Sequence, residues 1–114
     1  MGSTPYELNI ENINRLVKDH IIGNYALGNL SESGTFVVHY VGRSDTDLKQ
    51  RLTQHLSDAK KYSHFKFSFA ISIKEAYLKE CKNYHDFGGQ QYLDNENHPA
   101  RPHDMKDSCP YCGK

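Results

Sequence analysis

The sequence predicts a single α+β domain: a small, mostly antiparallel three-stranded sheet flanked by helices in the order α-ββ-α-β-α, with an irregular C-terminal tail. Three observations predict it. Leu48, Leu52 and Leu56 recur at i, i+4 and i+8, the spacing of one helix face. From Phe65 to Ile73, apolar and polar residues alternate as in a strand with one wet face. After Gln90, Asn95, Asn97, Pro99, Pro102 and several charges dominate, and few apolar residues remain. A chain of 114 residues holds one core of modest size rather than two. Residues 1–114 therefore read as one domain: an N-terminal helix over 1–21, a core over 22–87 and a tail over 88–114.

Each element has a local reason. Thr4, Pro5 and Glu7 read as N-cap, first-turn proline and capping-box glutamate of the first helix. Leu8, Ile13, Leu16 and Val17 follow at roughly helical spacing, and Gly23 closes the segment. A short strand over 24–29, a turn at Ser31-Glu32-Ser33-Gly34 and a strand over 35–40 make a hairpin. Ser44, Asp45 and Asp47 are cap residues for a helix reaching about Ala59. The strand over 64–73 sets Phe65, Phe67, Phe69, Ile71 and Ile73 on one face, with Lys66, Ser68, Ala70 and Ser72 on the other. Ser72 and Glu75 form a second capping box, opening a helix to about Phe87 that Gly88 and Gly89 end.

Composition narrows the function. The chain has 14 basic and 14 acidic residues and no net charge, with a mean hydropathy of −0.77. The charge is unevenly spread: residues 1–35 are net −2, residues 36–79 net +4, and residues 80–114 net −2. Arg43, Lys49, Arg51, Lys60, Lys61 and Lys66 thus fall in one basic stretch, suited to phosphate or equally to a solvated helix face. No long apolar run is present, so no membrane span is expected. The start, Met1-Gly2-Ser3-Thr4-Pro5, lacks the basic and apolar regions of a signal peptide, and a cytoplasmic protein is the expectation.

Two strings about fifteen residues apart, Gly23-Asn24-Tyr25 and Tyr40-Val41-Gly42, lie on the predicted hairpin. Arg51 and His55 follow on the next helix, and Glu80 on a later one, within Glu75-Ala76-Tyr77-Leu78-Lys79-Glu80-Cys81. That order resembles the GIY-YIG nuclease family over about residues 22–87. It departs from the family pattern in having Gly-Asn-Tyr as the first string and a longer hairpin connection. The resemblance implies an endonuclease acting on DNA, with Tyr25 or Tyr40 as general base or water-positioning group, Arg51 as phosphate clamp and Glu80 as metal ligand.

Chemistry gives each residue a reason beside that resemblance. Phosphodiester hydrolysis needs an activated water, a cation near the phosphoryl oxygens and stabilisation of the leaving oxygen. Tyr25 and Tyr40 on paired strands can turn their hydroxyls into one pocket, and Gly42 permits close approach of backbone or phosphate. Arg51 offers a planar fork to a phosphate, and His55, four residues on, shares its face. Arg43 and Lys49 are further phosphate-binding candidates. Glu80 is a single carboxylate able to hold a Mg²⁺ or Mn²⁺ ion that keeps several waters. Glu75 fits the capping box, which leaves Glu80 the better ligand, and Tyr84 shares the face of Glu80 and is expected in the same cleft. The choice of general base among Tyr25, Tyr40 and His55 stays open. Taken singly, each residue also reads as a core tyrosine or a solvated polar side chain.

A second constellation is metal-like. Cys109-Pro110-Tyr111-Cys112 has zinc-knuckle spacing, and Cys81 and His85 are i, i+4 on the last helix. Together they make a tetrahedral Cys₃His set for a structural Zn²⁺, using all 3 cysteines, with His98 and His103 as alternatives to His85. The other readings of this CxxC are a disulfide or a redox motif, but a redox CxxC usually opens a helix after a strand. A clip would contribute several kcal/mol to a tail too polar to hold itself down. Small prokaryotic GIY-YIG-like proteins are similar in carrying a Glu-Cys-x-x-Tyr-His string and a terminal Cys-Pro-x-Cys.

The expectation is thus a small nuclease-like domain with catalytic Mg²⁺ or Mn²⁺ and structural Zn²⁺, whose target choice comes from a dimer or a partner. Two alternatives stand beside it. One is a non-catalytic nucleic-acid- or protein-binding module on the same fold, and the other a zinc-stabilised adaptor without nucleic-acid contact, which the zero net charge favours.

Overall fold

The computed structural model describes residues 4–58, 61–95, 98–102 and 109–111. The chain runs β1 (Tyr6–Glu7), α1 (Ile10–Leu16), β2 (Gly23–Leu30), β3 (Phe36–Ser44) and α2 (Leu48–Gln54), then a 3-10 turn (His55–Asp58). It continues through β4 (His64–Phe69), α3 (Ile73–Asp86) and a second 3-10 turn (Gly89–Gln91). The strands form one antiparallel sheet in the order β1-β4-β2-β3. The α+β class therefore holds, with four strands in place of the expected three.

The fourth strand comes from the segment expected to begin a helix. Tyr6 pairs with Phe65 and Glu7 with His64. Pro5 biases Thr4 toward extended backbone, and the Tyr6 ring packs on Phe65 and Phe67 with centroids 6.0 and 6.1 Å away. Those cross-strand aromatic contacts outweigh the capping pattern at Thr4. The helix starts later and is short: Asn9 is its N-cap, accepting the Asn12 N–H at 2.8 Å, and it spans only Ile10–Leu16.

The hairpin is longer than expected and irregular at an informative place. Tyr25 pairs with Gly42 and Leu27 with Tyr40, but Gly28 pairs with Val38. His39 is thus an extra residue in β3, a β-bulge. Because side chains alternate along a strand, the bulge changes which face follows. Phe36 and Val38 pack with Ala26, Val41, Tyr84 and Leu93, whereas Tyr40 packs on the opposite face with Tyr25 and Leu27. A Cβ on Gly28 would lie 2.0 Å from the Val37 carbonyl oxygen, so the bulge closes over a residue with no side chain.

The sheet carries helices on both faces. Ile13, Val17, Leu48 and Leu52 from the α1 and α2 side bury against Tyr25, Leu27 and Phe65. Gly23 admits this packing, since a Cβ there would meet Leu48 at 2.6 Å. On the other face, α3 docks through an Asn24 amide donating to the Ala76 carbonyl at 2.9 Å and the Lys79 ammonium donating to Ser68 Oγ at 2.6 Å.

Helix α2 is capped by Asp47, as expected, but ends at Gln54 in a 3-10 turn, and Ala59 lies outside the described residues. Strand β4 stops at Phe69. The alternation beyond it has no sheet to lie on: Ile71 is 91% exposed, and Ser72 caps α3 by accepting the Glu75 N–H at 3.0 Å. Helix α3 is close to its expected span, ending at Asp86 with Phe87 as C-cap and Gly88 at φ 93°. Among the described residues no helix is long and apolar enough to cross a membrane.

Candidate functional site

The bulge in β3 and the short α2 bring three of the expected residues together. Tyr25 Oη lies 2.7 Å from His55 Nε2, so phenol and imidazole are hydrogen-bonded. The Tyr25 and Tyr40 rings stack at 6.3 Å, and His55 lies 5.1 Å from the first and 5.3 Å from the second. Tyr25 is only 2% exposed, whereas Tyr40 and His55 are half-buried, so Tyr40 is the more accessible hydroxyl. Gly42 serves this cluster differently from the expectation. A Cβ there would lie 2.3 Å from Tyr25 Cζ and Oη, so the missing side chain makes room for the Tyr25 ring rather than for a phosphate.

Glu80 reaches the site from the other side of the sheet. It is 8% exposed on the inner face of α3, and its Oε1 accepts a hydrogen bond from Arg43 Nη1. Arg43 also donates from Nε to Asp45 Oδ1 at 2.8 Å and from Nη2 to the Ala100 carbonyl at 2.6 Å. Its guanidinium carbon lies 5.2 Å from the Tyr77 ring centroid. Burial pushes the Glu80 carboxyl above its usual range despite the opposing pull of Arg43. Burial opposes the charge on Arg43, but bonds to Asp45 and Glu80 win and raise its pKa above the ordinary value.

Two adjoining cavities share Glu80 and Ala100 as a common wall. One, of about 500 Å³, is lined by Tyr40, His55, Tyr62, Asn95 and His98 among others. The second, of about 320 Å³, is lined by Arg43, Ser44, Asp45, Thr46 and Arg51. Tyr40, Arg43, Arg51, His55 and Glu80 thus converge at the outer edge of β3. Lys49 does not join them: it pairs with Asp19 at 3.3 Å and faces a separate groove with Asp47 and Gln54. Tyr84 is not a cleft residue either but packs in the core with Ala26, Val41 and Leu93.

The cysteine and histidine cluster is also brought together, with a change of histidine. Ligand atoms of Cys81, His98 and Cys109 lie within 4.8 Å of one another, a group that can hold a metal ion. Zinc–ligand bonds of about 2.0–2.3 Å set tetrahedral donors roughly 3.3–3.8 Å apart, so the donor set suits that ion. His85, the first expectation, lies beside the group with its Nε2 3.4 Å from His98 Nε2. One turn of helix keeps His85 close to Cys81, but His98 comes from the tail that also carries Cys109. Cys81 and Cys109 are both buried, and burial together with a hydrogen bond to Cys109 pushes the Cys81 thiol up to about 12. Cys112 and His103 lie outside the described residues.

No sequence signal placed Asp45, Tyr62, Asp94 and Asn95 at this site. Tyr62 donates its hydroxyl to Asp94 at 2.8 Å, and Asn95 is buried against β3. Asp94 and Asn95 were marked only by the polarity of the tail, which pointed the other way. No protein-family model matches this chain, and no curated protein or solved structure does so either.

Proposed function

We propose that this protein is a metal-dependent endonuclease of the GIY-YIG type, hydrolysing phosphodiester bonds in DNA. One observation carries the reading: the 2.7 Å contact between Tyr25 and His55, with Tyr40 beside it, at a cavity whose Glu80 wall is shared with an arginine-lined neighbour. As Tyr25 or Tyr40 takes a proton from the attacking water it gives up its own phenolic proton, Tyr25 to His55 across their 2.7 Å contact and Tyr40 to solvent. The water oxygen bonds to phosphorus, the bond to the leaving sugar oxygen breaks, and that oxygen takes a proton from the protonated His55 or from solvent. Arg51 and Arg43 face the phosphate charge that develops.

Glu80 suits a single-carboxylate Mg²⁺ or Mn²⁺ site. Among the described residues its Oε2 takes no hydrogen bond, and Oε1 is held by Arg43. When bound, the ion would supply Lewis-acid stabilisation of the phosphoryl oxygens. Zn²⁺ held by Cys81, His98 and Cys109, with Cys112 the fourth candidate, would clip the tail to α3. A cytoplasmic location and a dimer or partner for target choice belong to the same proposal.

The test is cleavage of branched, nicked and plain duplex DNA with Mg²⁺ or Mn²⁺, by wild type and Glu80→Ala. Metal-dependent cutting that is lost in the variant is the expected result. A second reading, a nucleic-acid-binding module without catalysis, is favoured by the Arg43–Glu80 pair, which already engages one oxygen of the carboxylate. It predicts affinity that falls steeply with salt and no cleavage under any metal.

A further inference from the structure

After α3 the chain turns back across the outer edge of β3. Leu93 packs into the core, and Asp94 donates its backbone N–H to the His39 carbonyl at 2.6 Å. Asn95 then stands in for a neighbouring strand. Its side-chain oxygen accepts the Val41 N–H at 3.0 Å, and its amide donates to the Val41 carbonyl at 2.7 Å. The outward groups of an edge strand otherwise face water or another chain. Farther along, the Ala100 carbonyl accepts from Arg43 at 2.6 Å. Between these two attachments, His98 belongs to the metal group with Cys81 of α3 and Cys109. Asn95, His98 and Ala100 also line the cavities of the candidate site.

We infer that Asn95 and the Ala100 carbonyl are positioning groups of this site, governed by a metal ion at Cys81, His98 and Cys109. With the ion bound, His98 is tied to α3, the Asn95 amide stays on Val41, and the Ala100 carbonyl fixes the Arg43 fork. Without it, the docked state loses the free energy of metal binding and the edge of β3 opens. The inference rests on the cavity reading of the site but not on hydrolysis, because an ordered Arg43 matters equally to a module that only binds phosphate.

The experiment follows backbone amide exchange and the Arg43 guanidinium proton resonances by NMR, using the full chain. Zinc-loaded wild type is compared with chelator-treated wild type, and with His98→Ala and Asn95→Ala in the presence of zinc. Chelation and His98→Ala are expected to speed exchange at Val41 by about tenfold or more, with Leu27 and Phe65 unchanged. The Arg43 resonances should broaden or shift in step. Asn95→Ala should reproduce the Val41 effect even with zinc bound. Unchanged Val41 and Arg43 signals on zinc removal would overturn the inference. So would protection lost throughout, Leu27 and Phe65 included, since the ion would then be holding up the whole fold. Absent DNA cleavage together with a clear Val41 response would sink the nuclease reading and leave this one standing.

Discussion

Gly42 and Tyr25 meet where the hairpin strands cross, and there is no room there for one more carbon. A methyl group at position 42 would lie 2.3 Å from the Tyr25 hydroxyl. Gly42→Ala should therefore push the phenol off His55, cost about 1–3 kcal/mol of stability and abolish cleavage; thermal melts and the DNA assay read both. Tyr25→Phe separates chemistry from packing. It keeps the ring and removes the 2.7 Å contact, so stability should change by about 1 kcal/mol while cleavage falls about 10²–10⁴-fold. A variant that cuts normally would exclude the Tyr25–His55 pair from the mechanism. Tyr25, Tyr40, Arg51, His55 and Glu80 stand out in the sequence because their order along the chain resembles a nuclease family, and strand and helix periodicity only assigns them to elements. The partner of Glu80 does not, because Arg43 sits on another element and only the fold brings the two together. His98 was hidden for the same reason: local spacing favours His85, whereas the tail's path decides the contact.

Among the elements, β3 depends most on a feature without a local signature. One extra residue, His39, moves Tyr40 onto the face of Tyr25, while Val38 stays on the face of Tyr84. Alternation in Val37-Val38-His39-Tyr40-Val41 does not reveal where the parity changes. Gly28 is its one clue. Gly28→Ala sets a Cβ against the Val37 carbonyl oxygen, a backbone atom that cannot swing aside. The expected cost is about 3 kcal/mol or more, with loss of the Tyr25–Tyr40 ring contact, measurable by urea unfolding and aromatic NMR shifts. Helix α3, by contrast, was fully readable: a serine cap, a capping-box glutamate and two terminal glycines bound it locally. The first helix was not, because Tyr6 earns its strand conformation from Phe65 and Phe67 far along the chain.

For the whole molecule, the docked tail adds a pH dependence. The Tyr62 hydroxyl, and after it Lys61, hold the Asp94 carboxyl below its usual range. A depressed folded pKa means this stability is present above the unfolded carboxylate pKa and is lost as pH falls through the folded one. More than a third of the Asp94 side chain is exposed, so solvent screening keeps the effect small. Asp94→Asn should flatten the acid limb of the melting curve between about pH 5 and pH 3 and leave the neutral region little changed. An identical acid limb in the variant would refute the assignment. The class of fold was readable at this scale, but the sheet order was not, since pairing Tyr6 with Phe65 is a long-range choice that no window of sequence contains.

The two sides of this sheet end very differently from an ordinary open sheet. One is finished by β1, only 2 residues long, and the other carries the Asn95 amide where a fifth strand would bind. Among the described residues, β1 covers His64 and Phe65 of β4, and the Asn95 amide takes both outward groups of Val41 in the middle of β3. Peeling the tail from β3 would free those Val41 groups, beside an exposed Val37. If the Asn95 amide keeps other chains off this edge, withdrawing the metal should make solutions of the protein turbid, and a clear solution would refute that role.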